Sequence, residues 1–377
     1  MLRYNYPFNC LLNRLKLSIG YCKAVYAIYN NCLLFYLVGC MRERTKNIRD
    51  YMLDLCRSRT LNVASEAAAH FGMTKQSAAK HLQALELEGL VVSTGSTKAK
   101  VSVLAVLKKQ TWKFTRDGLR EDIIWRESLE PLIHDLPENA HNIWHYGVTE
   151  MVNNAVDHSE GTEVVIDLER TALDTTVRIS DNGEGIFHRI QRLVGLYDPR
   201  ESILELSKGK LTTDPANHSG EGIFFTSRVF DMFTILSRTL YFSHQAEKDD
   251  WLIDYDEDVP GTIVRLKLAN NCERTLKSVM DYYAEPDEFS FSKTTVPVRL
   301  ARHEGEKLVS RSQAKRLVAR FEKFKTVMLD FDGVEEIGQG FADEIFRVFA
   351  NAHPRVELIP FNATEAVRQM ISRALAA

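Results

Sequence analysis

Two short segments in the middle of the chain most constrain its fold and chemistry. The first carries Glu150, Asn154 and Asp157, which a helix of about 100° per residue places on one face, where they can hold a hydrated metal and a water. The second is Asp-Asn-Gly-Glu-Gly-Ile at residues 181–186, directly after the alternating segment 176–180. The alternation predicts a strand, so we expect Asp181 at a strand end and the glycines in a loop that closely approaches a ligand.

Four motifs in order resemble the GHKL family of ATP-binding domains, which is shared by gyrase, MutL, ninety-kilodalton heat-shock chaperones, histidine kinases and anti-sigma kinases. Residues 150–157 resemble its N box, 181–186 its first glycine box, 219–223 its second glycine box and 261–264 its closing Gly-Thr segment. One glycine motif alone is often a plain turn, whereas four in order are specific. The resemblance implies a cofactor pair of ATP and Mg²⁺.

The resemblance also assigns roles to individual residues. Asn154 would bind the Mg²⁺ that bridges the phosphates, and Glu150, the catalytic candidate, would orient or deprotonate the attacking water. Asp181 would accept a hydrogen bond from the adenine amino group, and Thr262 would join through a shared water. Asp157 would support the water network beside the adenine.

The remaining nucleotide-binding candidates belong to the glycine motifs and to a lid predicted over residues 187–219. These candidates are Gly183, Gly185, Ile186, Lys208, Lys210, Gly220 and Gly222. We expect a helix from Phe224 to Phe233 whose first amides receive phosphate oxygens. The two lysines can close over the phosphates, although lysines in a long polar loop are more often simply solvated.

The charge of the chain is unevenly distributed along its length. Its net charge of −3 combines +4 over residues 1–40, +7 over residues 41–118 and −14 over the remainder. A basic block within an acidic protein is a candidate nucleic-acid surface. Four of the six cysteines lie before residue 41, and neither Cys-x-x-Cys nor a His/Cys metal spacing occurs. This pattern favours a reducing, cytoplasmic location.

Residues 48–104 resemble a bacterial winged helix-turn-helix domain. We predict an alanine-rich helix ending at Gly72, a second helix capped by Thr74, and a hairpin whose basic tip corresponds to the wing. The DNA-binding candidates are Lys75, Gln76, Lys80, His81, Lys98 and Lys100. Double-stranded DNA is the expected partner, while a solvated face on a protein-interaction domain is the alternative.

The first forty residues form an apolar extension, and Met41 is a candidate start site. The apolar stretch from Ala24 to Cys40 contains two asparagines and is slightly short for a bilayer-spanning helix, so membrane insertion is disfavoured. We interpret residues 1–40 as an extension that contributes little to function.

The last ninety or so residues alternate between strand and helix patterns. We predict strands at Val296–Leu300, residues 326–331 and residues 356–360, and helices at Glu306–Phe324, after Gly338 and Gly340, and from Ala363. This small α/β layer with some parallel strands resembles the STAS-like domain of unknown function. The turn at residues 338–341 has no Ser or Thr, unlike the phosphorylated turn of anti-anti-sigma proteins, so a protein-docking role is favoured.

Together these observations predict a multidomain α/β (α+β) chain. Its parts are an extension (1–40), a winged helix (41–118), a GHKL two-layer α/β sandwich (119–275) and a small STAS-like α/β domain (285–377). The predicted function is a bacterial regulator in which Mg-ATP binding, with or without slow hydrolysis, controls the winged helix and the docking domain. An anti-sigma-type serine/threonine kinase acting on a separate protein is the alternative, and homodimerisation is left open.

Overall fold

The computed structural model describes residues 43–95, 100–212, 220–245, 251–284, 290–302 and 305–376. The chain is a mixed α/β protein with several sheets. It divides into two compact units, one ending at Ala105 and one beginning at Val106. Over the described ranges, every helix is too short or too polar to cross a bilayer. The predicted extension at residues 1–40 lies outside these ranges.

From residue 43 onwards, the described part of the first unit contains three helices and then an antiparallel hairpin. Its elements are α1 (43–57), α2 (Val63–Phe71), α3 (Lys75–Leu87), β1 (Val91–Thr94) and β2 (Val101–Leu104). Gly72 ends α2 at φ +60°, and the Thr74 hydroxyl caps α3 by accepting a 3.2 Å bond from the Ser77 amide. Both predicted helix boundaries are therefore confirmed. The hairpin tip, with Lys98, lies outside the described residues.

The second unit contains a five-stranded antiparallel sheet with the order β3-β4-β5-β7-β6. The strands are β3 (Lys108–Thr115), β4 (Glu163–Arg170), β5 (Asp174–Asp181), β6 (Met232–Gln245) and β7 (Trp251–Ala269). The unit begins earlier than the predicted boundary at residue 118 because β3 pairs along its whole length with β4. As predicted, the alternating segment 176–180 forms a strand: it lies within β5, which ends at Asp181.

Helices cover the apolar face of this sheet. They are α4 (Glu121–Ile124), α5 (Glu130–Ile133), α6 (Glu138–His158), α7 (Ile186–Val194), α8 (Glu201–Lys208), α9 (Gly222–Val229) and α10 (Leu276–Tyr282). A buried stripe along α6, including Ile143, Trp144 and Val148, packs into the core with the strands. The predicted helix at 224–233 is wrong beyond Val229, because Met232 begins β6 and pairing with β7 outweighs local helix propensity.

The C-terminal domain, residues 290–376, completes the second unit with a parallel sheet of order β10-β9-β8. Its elements are β8 (Lys293–Pro297), α11 (Arg311–Val318), β9 (Thr326–Asp330), α12 (Gln339–Asp343), α13 (Ala350–Ala352), β10 (Glu357–Phe361) and α14 (Glu365–Ala376). The predicted parallel layer is confirmed. The predicted helix at 306–324 is shorter, because Ser310 and Gln313 form a capping box that starts α11.

Candidate functional site

One cavity of about 400 Å³ brings together many of the predicted nucleotide-binding residues. Its volume lies in the range of small-molecule sites. The predicted residues that line it are Glu150, Asn154, Asp181, Ile186, Gly220, Gly222 and Thr262. Of the other described candidates, the following do not line it: Asp157, Gly183, Gly185, Lys208 and Lys210.

Helix α6 supplies one wall of this cavity. Its lining residues are Glu150, Met151, Asn153, Asn154, Ala155 and His158. At about 100° per residue these positions centre on a direction roughly 60° from Glu150, and Asp157 points about 80° away from that direction. Asp157 is exposed and does not line the cavity, although it points in nearly the same direction from the helix axis as Glu150. The spacing argument therefore identified the helix face but placed its centre too close to Asp157.

The sheet wall of the cavity contains Asp181, Thr262 and the apolar side chains Ile179, Ile235 and Val264. The Gly183 amide donates a 2.9 Å hydrogen bond to Asp181 Oδ1, and the Thr262 amide also donates to this carboxylate. Burial raises the pKa of Asp181 above its usual range, while the two donated bonds oppose that increase.

Thr262 links the end of β5 to the start of α7. It is buried, and its hydroxyl oxygen accepts a 2.9 Å bond from the Ile186 amide. Asp181 and Thr262 are therefore fixed to each other and to the first turn of α7 by backbone donors. The Asp181 carboxylate is half-buried and held in one orientation, so it offers a fixed hydrogen-bond acceptor on a wall whose other side chains are mostly apolar.

Two of the predicted glycines make room for other parts of the protein. A Cβ atom on Gly183 would lie 1.9 Å from the Ser159 carbonyl oxygen, and one on Gly222 would lie 2.0 Å from Glu150 Oε2. Both distances are far below van der Waals contact, so a side chain would force displacement. Gly222 thus allows the first turn of α9 to approach the Glu150 carboxylate. Gly183 allows its loop to pack closely against the Ser159 carbonyl and does not line the cavity.

The lid segment, defined as residues 201–212, supplies the third wall through Leu206, Leu211 and Thr212. Gly220, Gly222, Ile223 and Phe224 at the start of α9 continue this wall. The first amides of a helix have no partners within the helix and favour anions. Residues 213–219, including part of the predicted lid and Ser219, lie outside the described residues.

Lys208 and Lys210 contact the C-terminal domain instead of the cavity. Lys208 is fully buried, and its Nζ donates to Glu205 Oε1 at 2.7 Å; burial lowers the pKa of Lys208 to about 8. Lys210 Nζ donates to the Lys323 carbonyl at 2.9 Å and lies 4.9 Å from the centre of the Phe324 ring. Their partners in the C-terminal domain are more than a hundred residues away in sequence, so no local pattern could have shown this contact.

Two cationic or titratable side chains of the cavity were not predicted. His158 and Arg189 line it, and Arg189 forms an ion pair with Glu160. Arg189 lies one turn after Ile186 on α7, so helical spacing from the glycine motif could have indicated it. His158 lies one turn after Asn154 and could have been found in the same way.

The predicted DNA-binding residues of the first unit differ in their surroundings. Lys75, Gln76 and Lys80 are exposed on α3, and His81 is partly exposed. Lys100 Nζ donates to Glu86 Oε1 at 2.8 Å, so its charge is balanced within the unit. Among the described DNA-binding candidates, the exposed lysines Lys75 and Lys80 therefore both lie on α3.

Comparison with protein families finds a similarity in the C-terminal part of the chain. Residues 313–368 match the family described as STAS-like domain of unknown function (DUF4325). The match runs from within α11 to the first turn of α14 and includes the parallel strands β9 and β10. No curated protein matches the chain. The C-terminal domain is therefore similar to STAS-like domains, as its strand and helix pattern predicts.

Proposed function

We propose that the protein is an ATP-responsive DNA-binding regulator, in which Mg-ATP binds to a GHKL-type domain and alters how a winged-helix unit and a STAS-like docking domain engage their partners. The observation that carries this proposal is the shared cavity of Asp181, Thr262, Glu150 and Asn154. Three segments separated in sequence thereby contribute the oriented Asp181 acceptor, the Thr262 hydroxyl, the Asn154 amide and the Glu150 carboxylate to one site.

The sheet wall suits adenine better than guanine. The Asp181 carboxylate is an acceptor that can take the amino hydrogen of adenine, and the apolar side chains beside it can cover the ring. Guanine has a carbonyl oxygen at the equivalent position, which would face the carboxylate as a second acceptor. A site that leaves a buried polar group unmatched discriminates strongly against such an analogue.

The α6 wall suits a hydrated magnesium ion. Asn154 would hold Mg²⁺ through its amide oxygen, with phosphate oxygens and waters completing the coordination. When bound, the ion would neutralise phosphate charge. Glu150 faces the first turn of α9, where its carboxylate can orient or deprotonate a water near the terminal phosphate.

The exposed cations of α3 support duplex DNA as the partner of the first unit. Lys75 and Lys80 lie on the second helix of a helix-turn-helix arrangement that is followed by a hairpin. Lysines that neutralise phosphates release counterions, so binding should weaken steeply with salt. ATP can change the affinity for DNA only by as much as it binds one conformation of the chain more tightly than another.

The proposal is tested by titrating the full chain with ATP and with GTP, in the presence and absence of Mg²⁺. We expect Mg-dependent ATP binding, at least about tenfold weaker GTP binding, and loss of the Mg²⁺ dependence in Asn154→Ala. Asn142→Ala is the matched control, because Asn142 is an exposed asparagine on a different face of α6. Failure of the unaltered chain to bind ATP would refute the nucleotide proposal.

Turnover is tested separately with γ-labelled ATP, alone and with a cell lysate. Glu150→Gln should retain nucleotide and lose turnover, because the carboxylate acts on water and not on the ligand. Label appearing as free phosphate indicates an ATPase, and label on a separate protein indicates the kinase alternative. Label appearing as neither indicates a nucleotide sensor.

DNA binding is tested by the salt dependence of duplex affinity. We expect Lys75→Ala/Lys80→Ala to reduce the slope of log affinity against log salt by about two. Lys100→Ala should reduce it less, since Glu86 already balances that charge. A slope that is flat in the unaltered chain would contradict the DNA assignment.

A further inference from the structure

Helix α8 is buried on all sides although most of its residues are polar. All eight residues are buried, and five of them are polar or charged: Glu201, Ser202, Glu205, Ser207 and Lys208. A helix with this composition is normally solvated, because buried polar groups cost free energy unless they are paired. The burial of α8 therefore requires specific partners around it.

The apolar residues of α8 belong to two different cores. Ile203 and Leu206 pack in the core of the five-stranded sheet and its helices. Leu204 packs in the core of the C-terminal domain together with Phe224 and Phe291. The lid segment is thus held between the nucleotide-binding candidate region and the C-terminal domain.

A buried ionic network joins the lid segment to the C-terminal domain. Glu205 accepts hydrogen bonds from Lys208 Nζ at 2.7 Å and from Arg320 Nε at 2.6 Å. Arg320 also donates to the Glu205 carbonyl at 2.7 Å and to the Lys210 carbonyl at 3.1 Å. Charge-assisted bonds of this kind are stronger than neutral ones and fix geometry.

Further hydrogen bonds cross the same contact in both directions. Lys208 Nζ donates to the carbonyls of Arg316 and Ala319 at 2.8 and 3.0 Å. The buried Thr294 hydroxyl of β8 donates to the Lys208 carbonyl at 2.8 Å. The end of α8 is therefore held by main-chain and side-chain groups of the C-terminal domain.

The residues held in this way are next to those that line the cavity. Leu206 precedes Lys208 on α8, and Leu211 and Thr212 follow Lys210 directly. Phe224 also lines the cavity, and its ring lies 4.6 Å from that of Phe291, centre to centre. The C-terminal domain thus supports the cavity wall from behind without lining the cavity through its own described residues.

We infer that the C-terminal domain positions the lid segment for nucleotide binding, with Arg320 as the main positioning residue. This inference rests on the proposed nucleotide function of the cavity. If the lid wall is already ordered, nucleotide binding does not have to supply the entropy cost of ordering those residues. By reciprocity, bound nucleotide must tighten the contact between the lid segment and the C-terminal domain by the same factor.

The first test measures Mg-ATP affinity in variants of the contact. Thr294→Val removes one hydrogen bond with little change of volume and should weaken ATP binding about fivefold. Arg320→Gln should weaken it about tenfold or more. Arg347→Gln is the matched control, since it breaks the pair with Asp343 in the same domain and does not contact the lid segment. Unchanged or tighter ATP binding in both test variants would refute the inference.

The second test separates positioning from general stability. Amide hydrogen exchange of the full chain, with and without Mg-ATP, should show that nucleotide slows exchange in residues 315–321, which do not line the cavity. This protection should shrink in Thr294→Val. A purely structural role would raise exchange equally with and without nucleotide, which would contradict the linkage.

The two levels of failure are distinguishable. If the unaltered chain binds no ATP, the proposed function fails and the linkage fails with it. If the unaltered chain binds ATP and Thr294→Val and Arg320→Gln bind it equally well, only the linkage fails.

Discussion

The sheet wall and the lid wall of the cavity are held in place by different means. Asp181 and Thr262 are fixed by amides of their own loop and of the neighbouring strand. Leu206 and Leu211 are held through Lys208, which donates to a carbonyl of the C-terminal domain, and through Arg320 of that domain, which donates to the Lys210 carbonyl. The wall proposed to recognise the base is thus internal to one sheet, whereas the shape of the lid wall depends on a second domain.

The largest expected effect concerns Gly261, which permits the tight contact behind the sheet wall. Its φ is +70°, and a Cβ atom there would lie 2.0 Å from the Asp181 carbonyl oxygen. Gly261→Ala should therefore lower the free energy of unfolding by about 4 kcal/mol. Urea denaturation followed by tryptophan fluorescence measures this, since all four tryptophans lie after residue 105.

Gly118→Ala is the matched control for this change. Gly118 has φ +74°, but nothing lies within 4 Å of the added Cβ atom. Gly118→Ala should lower the free energy of unfolding by only about 1 kcal/mol, because the added side chain is disfavoured in the left-handed backbone conformation. Equal losses in the two variants would show that the Gly261 contact is not a tight one.

The next effect concerns the lid wall and the pH dependence of stability. The pKa of Lys208, lowered by burial to about 8, lies below its usual 10.5. Between these values the unfolded chain binds more protons than the folded chain, so Lys208 contributes stability that increases with pH. The increase should be about 2 kcal/mol between pH 8 and pH 9.5.

Lys208→Met should remove that increase, as measured by urea denaturation at each pH. Lys277→Met is the control, because Lys277 is exposed and pairs with Asp281 at the surface. If the slope between pH 8 and pH 9.5 is the same in the unaltered chain and in Lys208→Met, Lys208 is not the group responsible.

A smaller effect concerns the sheet wall and the pH dependence of ATP affinity. Because burial raises the pKa of Asp181, its carboxylate form is lost at a pH where an ordinary aspartate is still charged. ATP affinity should therefore fall more in the unaltered chain than in Asp181→Asn as the pH is lowered from 7 to 5. Both chains see the same titration of the ATP phosphates, so parallel pH profiles would contradict this role.

Much of the local structure could be predicted because its causes are local. Gly72 and Thr74 delimit their helices through their own backbone geometry and capping bond, and β5 ends at Asp181 as its alternation indicates. The prediction that Asp181 and Asn154 share a site relied on the ordered family motifs and not on spacing alone.

The errors arose where distant parts of the chain decide the structure. β3 joins the second unit because it pairs with β4, which begins about fifty residues later. Lys208 faces Glu205 and the carbonyls of Arg316 and Ala319, so it belongs to the contact with the C-terminal domain and does not line the cavity. Neither outcome has a signal in the neighbouring sequence.

The most direct test of the central claim compares ATP with inosine triphosphate, which has a carbonyl oxygen in place of the adenine amino group. Calorimetric titration of the unaltered chain should show at least about tenfold tighter binding of ATP. In Asp181→Asn this preference should disappear or reverse, because an amide can donate to the carbonyl oxygen. Equal affinity of the unaltered chain for both nucleotides, or a preference that survives Asp181→Asn, would contradict the assignment of Asp181 and of the cavity to adenine.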